Sequence, residues 1–293
     1  MKKNILTCVL LSGLAGGFLL TACGGGGSDL EPFNTSCFPL AITSADRGWC
    51  NIAFDADGNL IFPNNMTDEV LFVDRLSCTL STLTTVPAGG QLYSIVNHPG
   101  LDTIYVGDTS GNIYAGNPSS GASTLLVDIG DYVNALVVAP EGYGSFEGQL
   151  LVATPSGVLV AVNTASGATT DVADTGGTLS DLEFARDGTL YVVEHEFKEI
   201  ITIAADGMTS TVASGFTSPD GIAVDEGSSR LLVSDYGDGN LYSVQMSDGA
   251  KTSLGYYNFD GGYYPSGLAF DGVETLLMAT RDGDSLTIQA LTF

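Results

Sequence analysis

Positive charge is the scarcest commodity in this chain. Its 293 residues include 9 Lys and Arg against 34 Asp and Glu, a formal charge of −25. Such a surface repels phosphate backbones, which excludes nucleic acid as a partner, and it disfavours anionic lipid for the same reason. Histidine occurs twice, as His98 in "NHPG" and His195 in "VEHEFKE". The two belong to different hairpin loops on opposite faces, so neither a zinc cluster nor a Ser-His-Asp set is expected from them. Helical periodicity is missing over any useful length, and the apolar run near the N-terminus is too short and too broken by glycine to make a good membrane span. What is present, 44% hydrophobic residues and 38 glycines, describes a globular chain of short strands and many turns.

The opening segment "MKKNILTCVLLSGLAGGFLLTAC" reads as a secretory signal with a small-residue cleavage site. Its end, Leu20-Thr21-Ala22-Cys23, resembles a bacterial lipobox, which implies that Cys23 is lipidated and becomes the first mature residue. An ordinary signal peptide with a cysteine near the cut is the alternative. The expected organisation is a signal peptide over 1–22, the lipidated Cys with a flexible tether over 23–36, and one domain over 37–293. Gly24 stands where an Asp would favour inner-membrane retention, so the expected location is the cell envelope, at the outer membrane on its periplasmic or outer side. The membrane is then contacted through acyl chains alone, each buried methylene contributing about 0.8 kcal/mol. Loss of Lys2 and Lys3 takes the formal charge from −25 to −27. That charge serves solubility or attracts cations.

Self-comparison finds six related segments: "CNIAFDADGNLIFPNN", "YSIVNHPGLDTIYVGD", "NALVVAPEGYGSFEGQLLVAT", "SDLEFARDGTLYVVE", "DGIAVDEGSSRLLVSD" and "SGLAFDGVETLLMAT". They recur every 40 to 46 residues or so, and a third strand-like run follows each; a fourth follows five of them, mostly after turns such as "ASGAT" or "SDGAK". Four antiparallel strands at this period make a propeller blade. The expected fold is all-β: a six-bladed β-propeller of four-stranded antiparallel blades. The sixth copy stops at Phe293 before its outer strand, and an unpaired edge is a liability. Residues 38–44, "FPLAITS", are strand-like and are expected to close the ring as the fourth strand of blade six.

In a propeller, the start of each innermost strand lies on the rim of the central channel, facing the same side as the ends of the second strands. The starts are Cys50, Tyr93, Asn134, Ser180, Asp220 and Ser266; the ends are Asn64, Asp108, Thr154, Glu194, Asp235 and Thr280. This mouth face collects oxygen donors and little positive charge, as a hard cation requires. Trp49, Tyr93, Tyr236 and Tyr264 fall beside it, together with Tyr132, Tyr256, Tyr257 and Tyr263. Amphipathic aromatics suit a ligand or partner surface, and packing between blades uses the same residues. The expected ligand face is therefore Glu194, Asp235, Asp108, Trp49, Tyr93, Tyr236 and Tyr264. The "DADGN" of residues 55–59 has the start of a calcium loop but occupies the hairpin position of "ARDG" in another copy, so a β-turn is expected there.

The stretch "SPDGIAVDEGSSRLLVSDYGDGNLYSV" resembles a blade of the regucalcin/gluconolactonase family and, equally, an NHL repeat, with weaker copies over almost the whole mature chain. The lactonase resemblance implies one divalent cation, Ca, Mg or Zn. It would be held by the Asp of the P-D-G turn, by two Asn at matching blade starts and by the Glu of a first-blade G-E-x-P motif. Asp220 matches the Asp and Asn134 one Asn; the second Asn position falls on Ser180 or Asp181. Blade one reads "RGWCNIAFD", with no G-E-x-P. Asp220 also reads as a turn-capping residue between Pro and Gly. Two functions follow. The first is a membrane-anchored binding propeller for a small ligand, glycan or protein, expected to be a monomer. The second is a divalent-metal lactonase or related hydrolase.

Cys8 leaves with the signal and Cys23 carries lipid, so Cys37, Cys50 and Cys78 remain in an oxidising compartment. In the propeller, Cys37 and Cys78 fall on the outer edge of neighbouring blades opposite the mouth, whereas Cys50 begins an inner strand about 20 Å away. A disulfide requires Cα atoms within about 7 Å, so Cys37–Cys78 is the expected pair, with Cys50 a free thiol.

Overall fold

The computed structural model of the protein describes residues 33–42, 51–64, 67–257, 264–282 and 285–293. Cys23, Trp49 and Cys50 lie outside the described residues, and for Tyr264 only the backbone is described. Among the described residues, twenty-four strands form six separate sheets, each four-stranded and antiparallel, in the chain order expected of propeller blades. Blade five shows the pattern: Pro219–Asp225 innermost, then Arg230–Asp235, Asn240–Gln245 and Lys251–Tyr256. Blade six takes Tyr264–Phe270, Thr275–Asp282 and Ser285–Thr292 from the C-terminus and its outer strand, Leu40–Ile42, from the N-terminus. The closing strand runs antiparallel to the last one, with Leu40 opposite Ile288 and Ile42 opposite Leu286.

Burial explains why second strands read as unbroken apolar runs. Leu60–Asn64, Ile104–Asp108, Leu150–Ala153 and Leu190–Glu194 are buried at every position, because each is covered by the neighbouring blade on both faces. Outer strands such as Thr169–Asp174 are mostly exposed and carry Thr and Asp. The core is correspondingly divided. Six apolar clusters each sit at one junction between blades, from Leu60 and Phe62 against Leu277 and Ile288 at the closure to Leu232 and Leu241 against Leu276 and Met278 between blades five and six.

Ring closure is covalent. Cys37 and Cys78 are disulfide-bonded with Cα atoms 5.1 Å apart, Cys78 lying in the turn between the third and fourth strands of blade one. Phe33 and Asn34, within the stretch 23–36 expected as a tether, contact the ring, whereas Thr35 and Ser36 are exposed. Phe33 is buried in the closure cluster, its N–H bonds Asp271 and the Asn34 N–H bonds the Arg75 carbonyl. The reason is a single aromatic side chain that finds a place between blades six and one. "DADGN" is a turn, as expected: Asp55 Oδ1 accepts the N–H groups of Asp57 and Asn59.

Candidate functional site

A cavity of about 380 Å³ opens on the mouth face, across blades two to five. Tyr93, Tyr132 and Tyr236 form an aromatic wall; Asn134, Thr178, Ser180, His195, Ser218 and Asp220 supply the polar groups. Tyr93 and Tyr132 meet edge to face at 5.0 Å between centroids. Below it, the inner strands enclose a narrower channel of about 260 Å³, apolar except for Asn51, Asp181 and Glu183.

Bulges at the starts of the inner strands aim these side chains. In blade five Pro219 pairs with Asp235 and Ile222 with Val233, so Asp220 and Gly221 together stand opposite Ser234. In blade four Leu179 pairs with Glu194 and Asp181 with Val193, leaving Ser180 as the extra residue. An extra residue breaks the two-residue alternation and redirects a side chain. Ser180 and Asp220 consequently face the cavity, while Asp181 turns into the channel. Gly221 is required by close approach: a Cβ there would overlap the Ser266 carbonyl oxygen, and its N–H bonds Ser234 Oγ at 2.8 Å.

Of the four expected cation ligands, three share the cavity. Asn134 Nδ2 donates to the Leu179 carbonyl at 2.7 Å, and the Ser180 hydroxyl donates to the Asp220 carbonyl at 3.0 Å, which leaves Asn134 Oδ1 and Ser180 lone pairs as donors to a cation. Asp181 is engaged elsewhere: its oxygens accept Leu182 N, Ile222 N and Asn51 Nδ2 at 2.9, 2.9 and 3.1 Å. One carboxylate and two neutral oxygens fit an ion that keeps several waters, as Mg²⁺ does, and fall short of the six to eight oxygens that Ca²⁺ takes. Among the described residues, no three His, Cys, Asp or Glu side chains are grouped as a metal would need.

Asp220 is half-buried, and among the described residues no hydrogen-bond donor reaches its carboxylate. It is therefore no turn cap. Burial raises its pKa from 3.8 to about 6, against a smaller lowering by the charge of His195. Asp181 and Glu183 are pushed up to about 8, chiefly by burial, and further by the charges of Asp220 on Asp181 and of Asp181 on Glu183. Burial and the nearby Asp220 also hold Tyr132 well above the usual tyrosine range, so its hydroxyl stays a donor.

The other carboxylates expected on the ligand face lie beneath it. Asp108 and Asp235 are fully buried and do not line the cavity. Asp108 accepts the N–H groups of Gly89, Gly90, Ser110 and Asn112; Asp235 accepts those of Thr217, Ser218 and Gly237. Each ties a loop joining two blades to the end of a second strand. Glu194 is also buried, with Oε2 on Phe197 N at 2.6 Å and Oε1 unpartnered. Of the expected aromatics, Tyr93 and Tyr236 reach the cavity.

Sequence reasoning dismissed one group that the fold assembles. His195 Nδ1 lies 2.8 Å from the Pro219 carbonyl oxygen and Nε2 lies 3.1 Å from Ser218 Oγ. His98 does lie on the opposite face, in the hairpin of blade two, where its N–H bonds the Thr103 carbonyl. The signal for the His195 pairing was the adjacency of blades four and five, whose loops bring residues 195 and 218 to one rim.

No family model matches the chain, and no curated protein matches it. Solved structures do. XC5397, a gluconolactonase from Xanthomonas campestris, is 17% identical over 85% of this chain and 88% of its own, with a TM-score of 0.66. The likeness is one of fold. This propeller is also similar to a catalytically inactive His-to-Ala variant of virginiamycin B lyase from Staphylococcus aureus with Quinupristin (17% identity, 83% and 80% of the two chains, TM-score 0.63). A third match is the PQQ-bound aldose sugar dehydrogenase of Streptomyces coelicolor (14% identity, 86% and 98%, TM-score 0.60). At these identities the propeller's likeness to all three is one of fold.

Proposed function

We propose that this propeller is an envelope protein, tethered through lipid on Cys23, that binds a small polar ring-shaped ligand of the sugar or sugar-lactone class at its mouth. The observation that carries this reading is one cavity of about 380 Å³ whose lining combines three tyrosines with six other hydrogen-bonding side chains. Ligand sites are commonly about 300–1,000 Å³, with aromatic walls and a few placed polar groups. Tyrosine faces cover the apolar faces of a sugar ring, while Asn134, Ser180 and Asp220 meet its hydroxyls. Calorimetry against a panel of monosaccharides and aldonolactones tests the reading. Binding that weakens at least tenfold in Tyr132→Ala and Asp220→Ala is expected. Absence of binding across the panel at millimolar concentration, or binding indifferent to both substitutions, would refute it.

The second reading is a divalent-metal lactonase of the gluconolactonase type, favoured by Asn134, Ser180 and Asp220 sharing that cavity. A cation there would polarise a lactone carbonyl. Lactone hydrolysis that is abolished by EDTA and restored by Mg²⁺ supports this reading; hydrolysis indifferent to EDTA excludes it.

A further inference from the structure

We propose that Ser218 and His195 form a nucleophile and general-base pair that hydrolyses esters or lactones in the mouth cavity, a chemistry that calls on no cation. The inference rests on the cavity being a small-molecule site and names what that site does to its ligand.

The pair is defined by hydrogen-bond direction. A carbonyl oxygen accepts and never donates, so the 2.8 Å contact with Pro219 places a proton on His195 Nδ1. In the neutral ring Nε2 then carries a lone pair, and Ser218 Oγ at 3.1 Å donates to it. This is the arrangement that nucleophilic catalysis needs: hydroxyl on base, and base oriented by a third group. Both residues line the cavity and are half-buried, so a ligand in it meets the hydroxyl.

The loop carrying Ser218 is held on two sides. Fully buried Asp235 accepts Thr217 N at 2.7 Å and Ser218 N at 2.8 Å. Gly237 packs so closely that a Cβ on it would lie 2.8 Å from Ser218 Cβ. A serine needed only to close a turn would bond the backbone of its own loop; this one bonds a side chain contributed by the neighbouring blade.

The reaction balances without a further reagent except water. Ser218 Oγ bonds the acyl carbon as its proton passes to Nε2 and the carbonyl π pair moves onto oxygen. The intermediate collapses, the acyl C–O bond breaks and the leaving alkoxide takes the proton from Nε2. Water repeats the sequence on the acyl-serine, releasing the carboxylic acid and restoring Ser218. In a lactone the released alcohol remains part of the acyl chain. The Asp220 carboxylate, electrostatically coupled to His195, stabilises the imidazolium formed in each half-reaction. Donors on the cavity wall for the oxyanion are the Tyr132 hydroxyl and the second N–H of Asn134 Nδ2.

The test uses the full chain in detergent, pre-treated with EDTA and incubated with a fluorophosphonate, read by intact and peptide mass. One adduct per chain on Ser218 is expected, absent in Ser218→Ala and formed at least about 100-fold more slowly in His195→Ala, the usual contribution of a positioned base. Should Ser218→Ala not fold, by circular dichroism, Ser218→Cys carries the test: iodoacetamide must alkylate it faster than it does Ser218→Cys/His195→Gln. No adduct on Ser218, or labelling indifferent to His195, would overturn the proposal. Sugar or lactone binding by Ser218→Ala, measured by calorimetry, separates the two failures. Binding without any wild-type adduct sinks the dyad alone, and an adduct without binding sinks the sugar reading and leaves the dyad.

Discussion

Replacing Asp220 by Asn keeps the shape of the side chain and removes a desolvated charge, so the substitution should stabilise the protein while impairing its site. Burial raises the folded pKa of Asp220 from 3.8 to about 6. An acid with a raised folded value binds more protons folded than unfolded, so its contribution to stability falls as pH rises from 3.8 through 6. The cost is complete above about pH 7. A rise of about two pH units corresponds to at most about 3 kcal/mol, since each unit is worth about 1.4 kcal/mol. At pH 4 the same relation leaves well under about 1 kcal/mol. With about 240 described residues and about 2.1 cal/mol/K of unfolding entropy per residue, 3 kcal/mol is a rise in Tm of about 6 °C. Thermal melts of wild type and Asp220→Asn at pH 4 and pH 8 measure it. The expected result is a gap of several degrees at pH 8 that closes at pH 4. A gap of the same size at both values, or a less stable variant at pH 8, would refute the reasoning, because Asp220 would then be satisfied in the folded state.

Other consequences are as direct. Cys37→Ser/Cys78→Ser opens a bridge spanning 41 residues, and chain entropy puts its loss at about 4 kcal/mol, a fall in Tm of about 8 °C; an unchanged Tm would mean that Phe33 and the closing strand hold the ring unaided. Asp235→Ala leaves the N–H groups of Thr217, Ser218 and Gly237 without their acceptor, which should cost about 1–3 kcal/mol in all because water reaches the exposed Thr217 and Gly237, and should slow phosphonylation of Ser218. Gly221→Ala drives a methyl into the Ser266 carbonyl and should cost about 1–3 kcal/mol in urea unfolding, whereas Gly227→Ala, whose added Cβ comes no nearer than 3.4 Å to Asp225 Oδ1, should cost less.

The buried acids fit the same physics. Asp108 and Asp235 are fully buried and accept several N–H bonds each, which repays their desolvation. Asp220 accepts none from the described residues, and a group kept unsatisfied at a cavity is the kind that ligand contact rewards.

The sequence by itself determined the ring. Its cues are local, being apolar runs of strand length separated by Gly and Asp turns, and a propeller makes its contacts between chain neighbours, so period and order transfer directly into six blades. Closure by an N-terminal strand, seen as Leu40–Ile42, and the Cys37–Cys78 bridge followed from that geometry, because placing strands places their ends. What the sequence could not decide is which rim residues face the ligand. Asp108, Glu194 and Asp235 share the mouth end of the second strands, yet all three are buried under loops they organise. Asp220 and Ser180 face the cavity while Asp181 turns into the channel, because bulges at Pro219/Ile222 and Leu179/Asp181 shift the alternation by one residue. A bulge depends on how two strands meet, and the pairing of His195 with Ser218 depends on two loops meeting across a blade junction. The first is decided by strand pairing within a blade and the second by packing between blades, and only the tertiary structure contains either.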